Sequence, residues 1–187
     1  MLFPETIETD RLQLRRLSRE TVDVFEYHEL CSSHEPEIEA VTEFLPWDPH
    51  ETVKETEASL QELESKWEDG TRAEYVLRPK SNEPGAGTIV GSGGLIVDWE
   101  TQTGTPAIWL RKPFWGHGYS GERAEALIEL AFERLELALV AIPVQDGNER
   151  SRRSVEKYVE SHGGQYDGIV RNATVRPDGK IIDHHRY

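Results

Sequence analysis

The spacing of apolar side chains changes from segment to segment, and these changes predict the secondary structure of the chain. Residues 9–17 alternate apolar and polar side chains, as in a strand with one buried face. Ser18 is suited to cap a helix that runs to about Cys31. Asp48, followed by a proline and then an acidic residue, predicts the start of a second helix, and Gly70 predicts its end.

The rest of the chain continues this alternation of elements. Strands are predicted at 73–77, 88–99 and 106–110, and a helix with apolar residues at 3.6-residue spacing follows a glycine-rich turn at 116–121. The remaining predicted elements are an apolar strand over 137–144, a helix that begins at Asn148 and ends at Gly163, and a hairpin of 166–170 and 181–187 around Pro177. The order predicts one mixed α/β domain over residues 1–187, built on one sheet.

The charge of the chain excludes one class of partner. Its net charge is −14, from 35 acidic and 21 basic residues. General nucleic-acid binding needs a basic surface that can contact phosphates, so we expect no nucleic-acid partner. Lysine is scarce among the basic residues, which suits adaptation to high salt, where an acidic surface stays soluble and its self-repulsion is screened. An ordinary acidic surface is the alternative.

The sequence also predicts a location. No apolar run approaches the roughly 20 residues that a membrane-spanning helix needs. The first residues do not combine a basic segment with an apolar stretch, so they do not predict a signal peptide. Cys31 is the single cysteine, which excludes an internal disulfide and suits a reducing compartment. We therefore expect a cytoplasmic protein without a membrane partner.

The glycine-rich turn at 116–121 is a candidate phosphate site. Glycines allow successive amides to point inward, and the start of the following helix adds a partial positive charge. No Gly-Lys-Ser/Thr follows, which argues against an ATPase or kinase. Gly116, Gly118 and Gly121 also satisfy the Gly-x-Gly-x-x-Gly dinucleotide pattern, with Asp146 as a ribose-binding acid. A nicotinamide cofactor and a plain glycine turn therefore stay open at this point, although too few residues follow for a second nucleotide-binding half.

Five segments, in order, carry a resemblance to a known family. They are 9–15, 45–47, 114–122, 148–164 and 183–187. In these segments the chain resembles the GNAT superfamily of acetyltransferases, and most closely the subgroup that acetylates the N-terminal amines of ribosomal proteins. The resemblance spans nearly the whole chain. It implies an α/β fold with a mixed, largely antiparallel central sheet of about seven strands and helices on both faces.

The resemblance also implies a reaction. Members of this family transfer an acetyl group from acetyl-coenzyme A directly to a primary amine. They splay two strands to admit the pantetheine arm, and here those strands would be 106–111 and 137–144. The acceptor stays open among a protein N-terminus, a small amine and an antibiotic. The sequence does not indicate an oligomeric state.

The same resemblance assigns site residues. Ser151 would protonate the departing thiolate, since Val155 stands where many other members carry a tyrosine. A capping hydroxyl is the alternative for Ser151, as a helix cap is for Asn148. Trp47 would contact the acceptor, although a core position is the alternative for this tryptophan. The residues expected to bind the coenzyme are Leu110, Arg111, Gly116, His117, Gly118, Tyr119, Ser120, Gly121 and Asn148.

The general base is not evident from the sequence. The strands in which related enzymes carry an acid have none here, so Glu74, Asp98 and Glu100 are substitutes, each of which also suits an ordinary surface acid. His184 and His185 are adjacent on a strand and would face opposite sides, which disfavours a shared metal. We expect no metal. A non-catalytic module that binds acyl-coenzyme A therefore remains an alternative to an enzyme.

Overall fold

The computed structural model describes residues 2–176 and 178–187, so Pro177 of the predicted last turn lies outside it. The strands are β1 (Thr6–Glu8), β2 (Leu12–Arg16), β3 (Arg72–Pro79), β4 (Gly91–Asp98), β5 (Thr103–Leu110), β6 (Leu139–Val140), β7 (Pro143–Gln145), β8 (Gly168–Val175) and β9 (Ile181–Arg186). The helices are α1 (Val24–Cys31), α2 (Ile38–Thr42), α3 (Val53–Glu68), α4 (Tyr119–Glu129) and α5 (Glu149–Ser161). A 3₁₀ turn at Lys112–Phe114 precedes α4, and a π-helical turn at Leu130–Arg134 extends it. No helix in the described ranges is both long enough and apolar enough to cross a membrane.

The strands form two sheets. The larger has the order β1-β2-β3-β4-β5-β6, and the smaller has the order β7-β9-β8. Neighbouring strands are antiparallel except β5 and β6, which are parallel. The mixed, largely antiparallel α/β fold is therefore confirmed. The prediction of a single sheet is wrong, because the strands after α4 divide between the two sheets.

The division falls within the segment 137–144, which the apolar pattern predicts to be one strand. Its first part, β6, pairs with β5 in the large sheet, and its second part, β7, pairs with β9. The chain changes partner in between: Ala141 donates to the carbonyl of Gly104, and Ile142 donates to the carbonyl of Tyr187. Pro143 then begins β7, where its missing amide hydrogen is tolerated. The consequence is a gap between β5 and β7.

Helices cover both faces of the large sheet, as predicted. Successive residues of β3 point to opposite faces. Tyr75 and Leu77 are buried in a cluster with Leu127 of α4. Val76, between them, is buried with Leu60 of α3 on the other face.

Two helix starts differ from the prediction. Asp23, rather than Ser18, caps α1, and its carboxylate accepts hydrogen bonds from the next helical amides. The Ser18 amide instead donates to Thr21 Oγ1 in a turn. Thr52, rather than Asp48, caps α3. In both cases a second polar residue a few positions later has the extended backbone that a cap requires.

Candidate active site

The gap between β5 and β7 opens into a cleft of about 1510 Å³. Its walls include β5, the glycine-rich loop, the first turns of α4 and α5, and the end of β7. Pockets for drug-sized ligands span about 300–1,000 Å³. The cleft is therefore large enough for an extended ligand rather than a compact one.

One wall of the cleft is a free strand edge. The amide of Arg111 donates to Val90, next to β4, at 2.9 Å. Hydrogen bonding alternates along an antiparallel strand, so Leu110 and Ile108 direct their amides and carbonyls away from β4. The Leu110 carbonyl accepts a hydrogen bond from the Trp115 indole at 2.7 Å, as this orientation requires. The amides of Ile108 and Leu110 can therefore pair with an extended ligand in the cleft.

The glycine-rich loop supplies a row of open amides. Gly116 and Gly118 have φ angles of 82° and 83°, which glycine adopts at little cost. Within the described chain, no protein acceptor pairs with the amides of residues 116–120. The last two of these amides, at Tyr119 and Ser120, belong to the first turn of helix α4. Unpaired amides at a helix N-terminus form a site for phosphate groups.

Arg11 and Glu122 hold this loop against the start of β2. The Arg11 amide and its Nε atom each donate to the Glu122 carboxylate at 2.7 Å, and Thr9 Oγ1 donates to it at 2.5 Å. Arg11 also donates to the carbonyl of His117 at 2.9 Å. Burial alone would raise the pKa of Glu122, but the hydrogen bonds from Thr9 and Arg11 outweigh it and lower the pKa. Sequence reasoning missed this clamp, because 111 residues separate Arg11 from Glu122.

Three predicted coenzyme residues do not direct their side chains into the loop's phosphate site. The Tyr119 hydroxyl donates to the carbonyl of Pro84 at 3.0 Å, and its ring is fully buried. The His117 ring stacks on Tyr119. The Arg111 side chain donates to the Glu35 carboxylate at 2.8 Å, outside the cleft lining. Any contribution of Tyr119 or His117 to coenzyme binding therefore comes from the main chain.

Asn148 and Ser151 lie together on the opposite wall, at the start of α5. Asn148 Oδ1 accepts a hydrogen bond from the Ser151 amide at 3.1 Å, so the helix-cap role of Asn148 is confirmed. The Asn148 Nδ2 and Ser151 Oγ atoms have no hydrogen-bond partner among the residues that the structure describes. Both residues line the cleft. The Ser151 hydroxyl is therefore not a capping group, and Asn148 can cap the helix and donate to a ligand at once.

Trp47 lies behind the cleft wall rather than on it. Its ring packs edge-on against Trp109, with centroids 5.7 Å apart. The three residues before it, Phe44, Leu45 and Pro46, do line the cleft. This loop can therefore contact an acceptor through those three residues, whereas Trp47 packs against Trp109 and does not line the cleft.

None of the acids proposed as a base lines the cleft. Glu74 is buried, which corrects its interpretation as a surface acid, and its carboxylate accepts hydrogen bonds from Ser92 and Arg72 at 2.9 Å. Asp98 lies in the exposed turn after β4, where it accepts from the amide of Glu100. These three carboxyls are therefore not among the groups that line the cleft wall.

Cationic side chains line the cleft although the net charge of the chain is −14. The Arg150 guanidinium lies 3.3 Å from the centroid of the Trp115 ring. Arg123 is buried and donates to the carbonyl of Ala107 at 3.2 Å, and burial lowers its pKa. The others are Arg11, Arg153 and Lys157. Five acids line the same cleft, so these cations place positive charge at particular points of the wall and give the cleft no net positive charge.

Open loop amides and a free strand edge together suit a ligand with a pyrophosphate and an extended arm. The family model described as "Acetyltransferase (GNAT) domain" matches residues 11–158. The chain belongs to this family and is an acetyl-coenzyme A-dependent acetyltransferase. The family assignment also indicates that the ligand of the glycine-rich loop is acetyl-coenzyme A and not a nicotinamide cofactor. No cluster of metal-binding side chains occurs within 2–176 and 178–187.

Individual relatives agree with this assignment. The chain is 26% identical over 180 residues to an uncharacterized N-acetyltransferase, p20, of Bacillus licheniformis, covering 96% of this chain and 92% of the relative. It is similar in fold to the acetyltransferase MccE, solved with acetyl-CoA and AMP, with a TM-score of 0.80, 16% identity and coverage of 100% and 96%. It is also similar in fold to the ribosomal-protein-S5-alanine acetyltransferase of Vibrio fischeri, with a TM-score of 0.74, 16% identity and coverage of 97% and 93%.

Proposed function

We propose that this enzyme acetylates a primary amine in the cytoplasm, as a single domain over residues 1–187, and that a protein N-terminus is the first acceptor to test. The observation that supports it most is the combination, in one cleft, of the open amides at 116–120 with the unpaired polar groups of Asn148 and Ser151. Enzymes of similar fold include acetyltransferases of ribosomal proteins, which supports testing a protein N-terminus, and the microcin C7 self-immunity enzyme MccE, which supports an antibiotic as the second acceptor class to test.

The residues of the cleft fit the parts of acetyl-coenzyme A. The amides of residues 116–120 suit the pyrophosphate. The edge amides of Ile108 and Leu110 suit the pantetheine arm, as an added strand would pair with them. Asn148 Nδ2 is free to donate to a carbonyl of the same arm. The bound coenzyme supplies an activated acetyl group as a thioester.

The protein side chains act on the groups that change during transfer. The acceptor nitrogen forms a bond to the thioester carbonyl carbon, and the carbon–sulfur bond breaks. The Ile108 amide, at the open edge of β5 and farther from the phosphate loop than Leu110, donates to the thioester oxygen at the end of the arm, which becomes negative. Ser151 donates a proton to the departing sulfur. We expect no covalent enzyme intermediate, because Cys31 is buried in the core away from the cleft lining.

Gly121 allows a matched test of the phosphate site. It lies in the first turn of α4 with a normal φ angle, and a Cβ there would meet no atom within 4 Å. Gly121→Ala should fold and bind acetyl-coenzyme A nearly as the wild type does. Gly121→Asp adds a negative charge beside the phosphates and should raise the Kd at least about tenfold, or about 1.4 kcal/mol.

Calorimetry with acetyl-coenzyme A and thiol release in the presence of amines measure the two parts of the proposal. The amines would be a peptide with a free N-terminal serine, one with N-terminal alanine, and a small polyamine. Equal affinities for the two Gly121 variants would contradict the position of the phosphate site. Coenzyme binding without thiol release on any amine would contradict the proposed acceptor class.

A further inference from the structure

Two buried polar atoms on the cleft wall have no hydrogen-bond partner in the described part of the chain. They are Oε1 of Gln145, at the end of β7, and Nε2 of His184, in β9. The two residues lie directly opposite each other in the β7–β9 ladder, so their side chains share one face of the small sheet. Both residues line the same cleft as Ser151. Buried polar atoms are normally paired, so both are expected to meet a ligand.

The chemistry of the two atoms is defined by their surroundings. Gln145 Nε2 donates to the carbonyl of Phe44 at 3.0 Å, which identifies Oε1 as the open acceptor. Burial lowers the pKa of His184, against the raising effect of Asp183 on the same strand. The neutral ring is therefore favoured, and a neutral ring can accept a proton at Nε2. The carboxylate of Asp146 is bonded to His185, on the opposite face.

We propose that Gln145 and His184 form the pocket for the acceptor amine, in which Gln145 Oε1 accepts one N–H and His184 Nε2 is the general base. A primary amine carries several hydrogens on one nitrogen, which matches two neighbouring acceptors. This inference rests on the proposed function, and it names the base that Glu74, Asp98 and Glu100 do not provide.

The position of the pair suits this role. The carbonyl of Gln145 accepts a hydrogen bond from the Asn148 amide at 3.1 Å, so the pocket adjoins the start of α5. The bond from Gln145 to Phe44 joins it to the loop before Trp47, where an acceptor contact was expected. The pocket thus lies where the coenzyme wall and the acceptor loop meet.

Five acids line the cleft, of which Asp10, Glu125 and Glu160 are exposed to solvent and the other two are engaged by other groups. Glu122 accepts the hydrogen bonds of the loop clamp from Arg11. Glu156 accepts a hydrogen bond from the Tyr187 hydroxyl at 2.9 Å. His184 is the lining group that combines burial with an open proton-accepting atom.

The proton transfers balance without a further reactant. An acceptor that arrives as an ammonium ion loses one proton to His184 Nε2. Its nitrogen then forms the bond to the acetyl carbon, the carbon–sulfur bond breaks, and the nitrogen releases a second proton to solvent. The sulfur takes up one proton from Ser151, whose hydroxyl is restored from solvent, and His184 releases its proton to solvent. The net products are the amide, the thiol and one proton.

His184→Gln and His184→Ala test the base. Each should lower kcat at least about 100-fold with the N-terminal serine peptide. The Kd for acetyl-coenzyme A should stay unchanged, because the residue contacts the acceptor. Added imidazole should restore part of the activity of His184→Ala, which a structural role would not allow. Gln145→Met, which removes the acceptor atom, should raise KM for the peptide more than it lowers kcat.

His185→Gln is the matched control. His185 is the next residue on the same strand and bonds to Asp146 and Tyr166 on the other face, so this variant should lose stability but keep its turnover. Wild-type turnover in folded His184→Gln would overturn the inference and leave the proposed function intact, as would reduced activity that imidazole does not restore. A wild-type protein that transfers acetyl to no amine would overturn the proposed function and this inference with it.

Discussion

Ser151 is the residue whose role depends on a single atom. Its amide completes the cap of α5, while its hydroxyl lines the cleft without a partner among the residues described. If Ser151 were a capping residue, its hydroxyl would form a hydrogen bond with the helix backbone. No such bond occurs among the described residues, which favours Ser151 as the acid that protonates the departing sulfur. Val155, where many other members of the family carry a tyrosine, is buried in the core beside α4 and has no hydroxyl to take over this task.

Ser151→Ala should therefore separate chemistry from stability. We expect kcat to fall about 100-fold while KM for acetyl-coenzyme A changes little, because the proton is donated only in the transition state. The free energy of unfolding should change by less than about 0.5 kcal/mol, since no hydrogen bond is lost. Steady-state kinetics and thermal melting of the same preparation measure both. Ser65→Ala, at an exposed position of α3, is the control. Normal turnover in a stable Ser151→Ala variant would exclude the serine as the acid.

The role of a single residue could be predicted where the residues next to it in the sequence indicate that role. Asn148 was predicted because a cap is recognised from the residues that follow it. The pairing of Gln145 with His184 depends on the register of β7 and β9, which no local pattern encodes. The buried state of Glu74 was hidden for the same reason, since its partner Ser92 belongs to the next strand. Sequence reasoning therefore predicted residues for the proposed coenzyme wall, and it did not predict Gln145 and His184, where we propose that the amine binds.

At the scale of elements, the start of α4 depends on a contact with β2. The hydrogen bonds of Arg11 and Thr9 to Glu122 join the helix to the beginning of the strand. Because Arg11 also holds the carbonyl of His117, the same contact fixes the loop whose amides face the cleft. We therefore expect the loop to be better ordered when the Glu122 carboxylate is charged than when it is protonated.

The lowered pKa of Glu122 gives this contact a defined pH dependence. The carboxyl has a lower pKa in the folded protein than its ordinary 4.5, so its stabilising effect is complete above that value and is lost as pH falls below it. Glu122→Gln should cost about 1–3 kcal/mol at neutral pH, and the cost should shrink toward zero at acidic pH. Chemical denaturation at several pH values measures this. A difference that is constant from neutral to acidic pH, or equal to that of exposed Glu129→Gln, would contradict the assignment.

Element boundaries show where periodicity stops being informative. The apolar run 137–144 suggests one strand buried on both faces, but only Leu137, Ala141, Ile142 and Val144 of its residues are buried, and Leu139 is exposed. Burial does not say which partner pairs with which part, and the exchange at Ala141 and Ile142 follows from competition between two sheets. The opening between β5 and β7, and with it the cleft, is a tertiary feature that the family resemblance implied and the apolar pattern did not.

At the scale of the whole molecule, the ion pairs do not neutralise the acidic charge. Pairs such as Arg19 with Glu64 and Lys66 with Glu62 lie at the surface, where each contributes little. The excess of acidic groups is not compensated, and the net charge of −14 sets up repulsion over the entire surface. The cleft lining has five cationic and five acidic residues, so it does not contribute to this excess. Salt should therefore affect stability more through repulsion than through the loss of ion pairs.

Potassium chloride should raise the melting temperature of this protein. The screening length falls from about 10 Å at 0.1 M to about 3 Å at 1 M, so added salt removes repulsion between acids that are not in contact. Thermal melting from low to molar potassium chloride measures the effect, with sucrose as a control for stabilisation by exclusion from the surface. An increase that greatly exceeds the sucrose effect would support adaptation to high salt. A melting temperature that stays flat or falls would leave only an ordinary acidic surface.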